Sequence, residues 1–372
     1  MKKVFQRITA LVLGTAMLSG AGAQLSVLAK EDAERAVTQD TAQTETTVKE
    51  TYDRFLLSSW VSFYDTDITP FAEQVEGFAR SGMNSYVWAQ GFADPADRNV
   101  GPDYWTQMET EVSKFDDMTY VMTPVDLNNA QASAAYVKEN NLSHNIGYHL
   151  KDEPNAAQIP ALAELAKSYL EADPDAFPYI NLFPNYAGAS NLGGTYRDYV
   201  TNWVSSIGAE NLEYLYFDHY PFTAFETVRS SYFSDLEVIR DVAYKNGKLK
   251  TGGFTQMGSW NGMARPTVDM ARWSVNSLLA YGLKSLSHFN WVAPTYVAPE
   301  DGGEGMRDFV LTCEGEKTDL YEPMRALNWQ VRQLGDIFMS MDVKHAYHFG
   351  SVPSGTEELP ESFLIQPESG EF

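Results

Sequence analysis

The chain has a single cysteine, Cys313, in 372 residues, so no disulfide can form within it and its stability has to come from packing. The lone thiol is also a poor nucleophile, because no matching His motif accompanies it and the neighbouring Glu314, Glu316 and Asp319 would raise its pKa. Basic residues are scarce: 27 Lys and Arg stand against 50 Asp and Glu, a formal net charge of −23. Such a field repels nucleic acid and anionic membrane surfaces, so neither is an expected partner, whereas a neutral substrate is compatible with it. Long apolar runs are missing too. The longest, at 8–18, falls short of the roughly 20 residues that span a bilayer.

That short run sits in a recognisable order. Lys2, Lys3 and Arg7 precede it and Ala21-Gly22-Ala23 follows it, the pattern of a secretory signal peptide over 1–23, with cleavage expected after Ala23 or Ala29. Losing the three basic residues would take the charge to −26. No cysteine lies near the cleavage site, so export to the medium or cell surface is expected without a lipid anchor or membrane insertion. Residues 24–51 then hold too few large apolar side chains to offset the entropy of ordering, and read as a disordered linker.

From 52 to 345 apolar strands alternate with amphipathic helices, the signature of βα units around a parallel sheet. Strands are predicted over 55–63, 84–89, 119–124, 145–150, 179–183, 213–218, 249–254 and 285–291. Helices are predicted over 70–81, 130–140, 159–171, 196–207, 226–245, 268–281 and 320–341, with Gly82, Asn141, Gly208, Gly247 and Gly282 as stops. Eight strands at this spacing close a (β/α)8 barrel. The rival, an open doubly wound sheet, calls for a Gly-rich phosphate loop after the first strand, where Leu56-Leu57-Ser58-Ser59-Trp60 stands instead. Residues 346–372 read as the first strands of a β-sandwich cut short, or as a strap on the barrel.

In such a barrel, chemistry is carried by the strand C-termini and the loops after them. Those positions hold Trp60, Trp88, Tyr148, Asn181, His219, Tyr220, Gln256, Trp260, His288, Asn290 and Trp291, a set whose rings and amides suit a sugar. Singly, each aromatic is equally well explained as a plug of the barrel mouth. The fourth strand runs out through Gly147-Tyr148-His149-Leu150-Lys151-Asp152-Glu153-Pro154. With this adjacent acid pair at strand four, the region 52–341 resembles the glycoside hydrolase superfamily of (β/α)8 barrels. The resemblance implies a carbohydrate substrate and assigns Glu153 as the residue that protonates the departing glycosidic oxygen. The bland alternative makes Glu153 a cap of the next helix.

The largest group of those barrels has a nucleophilic Glu at the end of strand seven, where this chain has Phe254-Thr255-Gln256-Met257. Three readings stay open. Asp152 is the partner, as in hexosaminidase-type families whose Asp-Glu pair works on 2-acetamido sugars through substrate assistance. Or Asp218, in Tyr216-Phe217-Asp218-His219-Tyr220, is the base or nucleophile, with a carboxyl separation of about 5 Å implying retention and roughly 6.5–9.5 Å inversion. Or the barrel binds sugar without cleaving it. No cofactor motif is present and none is expected; His219 and His288 have no metal-ligand spacing, and the acidic stretch 301–308 lacks the order of a calcium loop. Oligomeric state leaves no trace in the sequence. Export is directly testable: N-terminal sequencing of the secreted protein is expected to begin near Gln24 or Lys30, and an intact Met1 in a membrane fraction would contradict it.

Overall fold

The structure, a computed structural model, describes residues 53–60, 71–87, 103–223, 227–294, 300, 303 and 305–364. The signal peptide, the linker, Trp88 and 365–372 lie outside the described residues. Eight parallel strands close a barrel in sequence order: β1 (Leu56–Trp60), β2 (Ser85–Val87), β3 (Thr119–Met122), β4 (Asn145–Asp152), β5 (Phe177–Leu182), β6 (Tyr214–Phe217), β7 (Lys250–Gln256) and β8 (Ser285–Phe289), with β8 pairing back to β1. The helices are α1 (Phe71–Arg80), α2 (Tyr104–Val112), α3 (Ala130–Glu139), α4 (Ile159–Ala172), the short α5 (Ala189–Leu192), α6 (Tyr196–Ile207), α7 (Tyr232–Lys245), α8 (Val268–Ala280), α9 (Tyr321–Gln333) and α10 (Gly335–Ser340). The (β/α)8 class expected from the sequence is therefore the observed one. Among the described residues no helix is long and apolar enough to cross a membrane.

Side chains alternate along each strand, so each strand feeds two cores. Inward, Trp60 packs edge-on against His149 and Phe254, and Tyr179 lies 4.3 Å from Tyr216 between ring centroids. Small residues make room for these rings: Ser285 Oγ accepts the Tyr216 hydroxyl at 3.0 Å, and Gly252 faces the same ring. Outward, Tyr120 stacks on Trp105 of α2 and Tyr148 packs on Tyr169 of α4. The start of β2 is tied to β1 by Asn84, whose side chain accepts from Leu57 N–H and donates to Phe55 carbonyl.

The strand β4 carries two register shifts, and the second sets up the site. Against β5, His149 pairs with Tyr179 but Lys151 pairs with Ile180, which leaves Leu150 as an extra residue. A bulge of one residue reverses the alternation beyond it. His149 faces the lumen, Lys151 faces solvent, and Asp152 is turned inward beside Asn181.

After the barrel, β9 (Tyr347–His348) pairs in parallel with β10 (Glu357–Glu358). This ribbon rests on the outer helices, with Glu357 paired to Arg240 of α7 and His348 bonded to the Tyr281 hydroxyl at 2.8 Å.

Filling of the lumen by Tyr216 opposite a glycine gives a test of the core. A Cβ at Gly252 would collide with the Tyr216 ring. Gly252→Ala is expected to destabilise the barrel by about 1–3 kcal/mol in denaturant unfolding, and an unchanged midpoint would show that the ring has room to move.

Candidate active site

The mouth of the barrel is acidic at its centre. Asp152 ends β4, Glu153 follows it, and Asp218 follows β6; Asn181 of β5 lies between, its Nδ2 donating to Asp152 Oδ1 at 3.0 Å. Glu153 N–H donates to Asn181 carbonyl at 2.9 Å, which continues the β4–β5 ladder one step past the strand, and the backbone then turns through a positive φ of 45° at Glu153. A left-handed non-glycine residue is sterically costly, of order 1 kcal/mol or more. The turn is held from outside by Tyr199 of α6, whose hydroxyl donates to Pro154 carbonyl at 2.5 Å and accepts from Phe183 N–H. In the following turn the Asn155 side chain takes the amides of Ala157 and Gln158. These bonds brace the turn leading into α4, whose N-cap position, Gln158, makes no side-chain capping bond.

The electrostatics couple the three acids. Burial pushes the Asp218 carboxyl well above the usual carboxylate range, and the charges of Glu153 and then Asp152 push it further the same way. Asp152 is also raised by burial, against the opposing pull of the Asn181 hydrogen bond and the Lys151 charge. Beneath them His149 is pulled down to about 3 by burial, so it is a neutral imidazole at ordinary pH.

Around this centre the residues predicted from the sequence divide. Tyr220 stands at the rim, edge-on to Trp260 at 4.9 Å, and both touch Phe289 to form an aromatic wall. Asn290 is buried at the exit of β8. Others need correction as sugar contacts. Trp60 is 2% exposed and plugs the lumen. Tyr148 faces outward and donates to Asp173 at 2.6 Å. His288 also faces outward, bonded to Thr255 and to Asn328 of α9, with Trp291 packed against it and Tyr321. His219 faces α7, where its Nδ1 bonds Asp235 at 2.7 Å. Gln256 keeps the inward position of the absent acid, but its amide is spent on backbone: it accepts from Phe222 N–H and donates to the carbonyls of Phe222 and Ala264. It is a brace joining the loops after β6 and β7.

Sequence reasoning missed three contributors. Tyr199 fixes the turn at Glu153; Asp235 accepts from both His219 and Asn185 N–H; Arg229 lies 4.1 Å over the Tyr186 ring. Each sits on or just before an outer helix, away from the strand ends where sequence reading looks. Among the described residues no group of three or more His, Cys, Asp or Glu is arranged to hold a metal.

Comparison with known proteins adds the fold and nothing finer. No family model and no curated protein sequence matches the chain. Among solved structures, a Lactobacillus rhamnosus β-glucuronidase is 12% identical, with a TM-score of 0.51 over 74% of this chain and 50% of that one. An endo-1,4-β-D-mannanase from Thermotoga petrophila is 10% identical with a TM-score of 0.49 over 74% of this chain and 99% of its own, and xylanase 10B from Thermotoga maritima is 8% identical with 0.48 over 77% and 98%. The chain spans about half the length of the β-glucuronidases it matches. At these identities the likeness shows the barrel alone.

The burial of Asp218 has a measurable consequence. A carboxyl whose pKa is higher in the folded than in the unfolded chain stabilises the fold while protonated; that contribution is complete below about pH 4, the ordinary Asp value, and is lost as the pH rises through the folded value. The contribution of Asp218 is therefore expected to fall as the pH climbs from about 4 towards neutral, against the opposite trend from the buried His149, whose lowered pKa favours the fold at neutral pH, so it is read as the difference between wild type and Asp218→Asn. Asp218→Asn is expected to raise the neutral-pH melting temperature. A variant that melts lower than wild type at pH 7 would mean the carboxylate is charged and satisfied in the fold.

Proposed function

We propose that this chain is an exported glycoside hydrolase, with Glu153 as general acid and then base. The observation that carries the reading is the convergence of Asp152, Glu153 and Asp218 on one buried, aromatic-walled mouth at the C-terminal ends of β4 and β6, with Asp218 held towards its neutral form by burial and then by its acidic neighbours. Acid–base chemistry at neutral pH needs carboxyls whose proton affinities differ, and burial beside like charge is a means of separating them. Glu153 stands at the turn out of β4, where a glycosidic oxygen entering the mouth can meet it. Asp152, fixed by Asn181, is oriented to accept a hydrogen bond from substrate or to stabilise oxocarbenium-like charge. The substrate-assisted, hexosaminidase-type scheme uses that orientation; the alternative gives Asp218 the role across the pocket. Export rests on the order of residues 1–23.

One observation favours a second reading, a barrel that binds carbohydrate without cleaving it: the inward position at the end of β7 holds Gln256, committed to loop backbone.

Substitutions separate these schemes. Glu153→Gln is expected to lower hydrolysis by about 10²–10⁴-fold on glycosides with poor leaving groups, and by less on activated aryl glycosides that need little protonation. Loss with Asp152→Asn alone supports substrate assistance, and loss with Asp218→Asn alone supports the strand-six carboxyl. Wild type that binds sugars but cleaves none across a broad nitrophenyl panel would leave the binding module standing.

A further inference from the structure

Among the described residues the side chain of Arg229 has no oxygen partner. Its guanidinium lies over the Tyr186 ring at 4.1 Å, its Nε is sealed from solvent with no acceptor, and its side-chain hydrogen bond among the described residues is to the Met263 thioether at 3.7 Å. Sulfur is a weak acceptor, and a planar guanidinium carries five donors suited to a carboxylate or sulfate fork. No described carboxylate forms a salt bridge with it, although the chain has 50 acidic residues and other arginines, such as Arg197, Arg240, Arg265 and Arg332, are all so paired. Leaving a partly buried charge unpaired is costly unless something else completes it.

Its position says what that could be. Tyr186 accepts Tyr220 N–H through its hydroxyl, and the charges of Asp218, Arg229 and Glu153 all act on that hydroxyl. The Tyr186 ring, edge-on to His219 at 5.0 Å and bonded to Tyr220 N–H, thus links the guanidinium to the segment after β6 that carries Asp218. Met263 pairs through its backbone with Thr223 and Trp260, so Arg229 lies where the loops after β5, β6 and β7 meet at the rim. The half-buried guanidinium is one aromatic ring away from that segment.

We propose that Arg229 forms an oxyanion subsite beside the acid centre, so that the favoured saccharide carries a carboxylate or a sulfate on the residue bound there. This rests on the carbohydrate reading of the mouth, and replaces the neutral substrate expected from net charge: an anion entering an acidic mouth needs a local cation, and Arg229 supplies it with only a weak thioether acceptor on its guanidinium. A bidentate, charge-assisted contact of this kind is worth about tenfold or more in affinity.

The test is calorimetric, so it does not depend on turnover. Wild type, Arg229→Gln and Arg229→Lys are titrated with three oligosaccharides of equal length: uronate-terminated, sulfated and neutral. Wild type is expected to bind one anionic probe at least tenfold more tightly than the neutral one, and which probe wins identifies carboxylate or sulfate. Arg229→Gln is expected to erase that ratio, while Arg229→Lys, which keeps the charge but not the fork, retains a smaller part of it. Equal binding of all three probes by wild type overturns the proposal without any variant, as does a ratio that survives in Arg229→Gln. A parallel hydrolysis panel keeps the two ideas apart. An Arg229-dependent preference without cleavage sinks the hydrolase and leaves the subsite, whereas cleavage of neutral glycosides without a preference does the reverse.

Discussion

The extra residue in β4 is the constraint on which the candidate site depends. Had β4 run without a bulge, His149 facing the lumen would put Lys151 inward and Asp152 outward. Leu150 absorbs the odd count, and the hydrogen bond from Asn181 then has a carboxylate to meet. The same step brings Glu153 N–H onto Asn181 carbonyl and starts the left-handed turn that releases the chain towards Pro154. Asn181 is thus the pivot: its backbone carbonyl holds one acid in place and its side chain holds the other.

The barrel beneath is organised to leave that mouth polar while everything under it is filled. Trp60, His149, Tyr179, Tyr216 and Phe254 close the lumen, so the acids face a floor of rings from which water is largely excluded. This is what raises Asp218: solvation that would favour its charged form is gone, and the neighbours that replace it carry the same sign. Support arrives from the outer layer, where Tyr199 and Asp235 reach back from α6 and α7 to the turns that carry the site.

What could be read in the sequence follows from which signals are local. The helix stops were legible because a left-handed residue announces itself: Gly82, Asn141, Gly208, Gly247 and Gly282 all adopt φ between 52° and 89°. Asp152 and Glu153 were legible because adjacency needs no fold to interpret it. The helix α2 escaped although Trp105, Met108 and Val112 carry a buried helical spacing, and the predicted helix at 320–341 breaks at Leu334 into α9 and α10. The wrong sugar contacts share one cause. Tyr148, His219, His288 and Trp291 sit at strand ends, but which face each presents is set by register and bulges, and those are tertiary quantities. Gln256 failed differently: it does face inward, and only the loop backbone shows that its amide is committed.

The acid centre is hard to explain as structure alone. Asp218 is 5% exposed, with its Oδ1 lacking a protein partner, and it shares the mouth with two further carboxyls. A barrel needing only stability could close this level with apolar side chains, as Phe289 and Trp260 do where they pack together at the rim. Burying an ionisable group beside like charge costs stability at neutral pH, and such perturbed groups concentrate where proton transfer is needed. The bulge, the strained turn at Glu153 and the guanidinium of Arg229, which no described carboxylate pairs, fall around this same end of the barrel, each a local departure from its regular pattern. Departures that cluster at one end of a fold, at the end where this architecture carries its chemistry, are better accounted for by a ligand that completes them than by three separate accidents of packing.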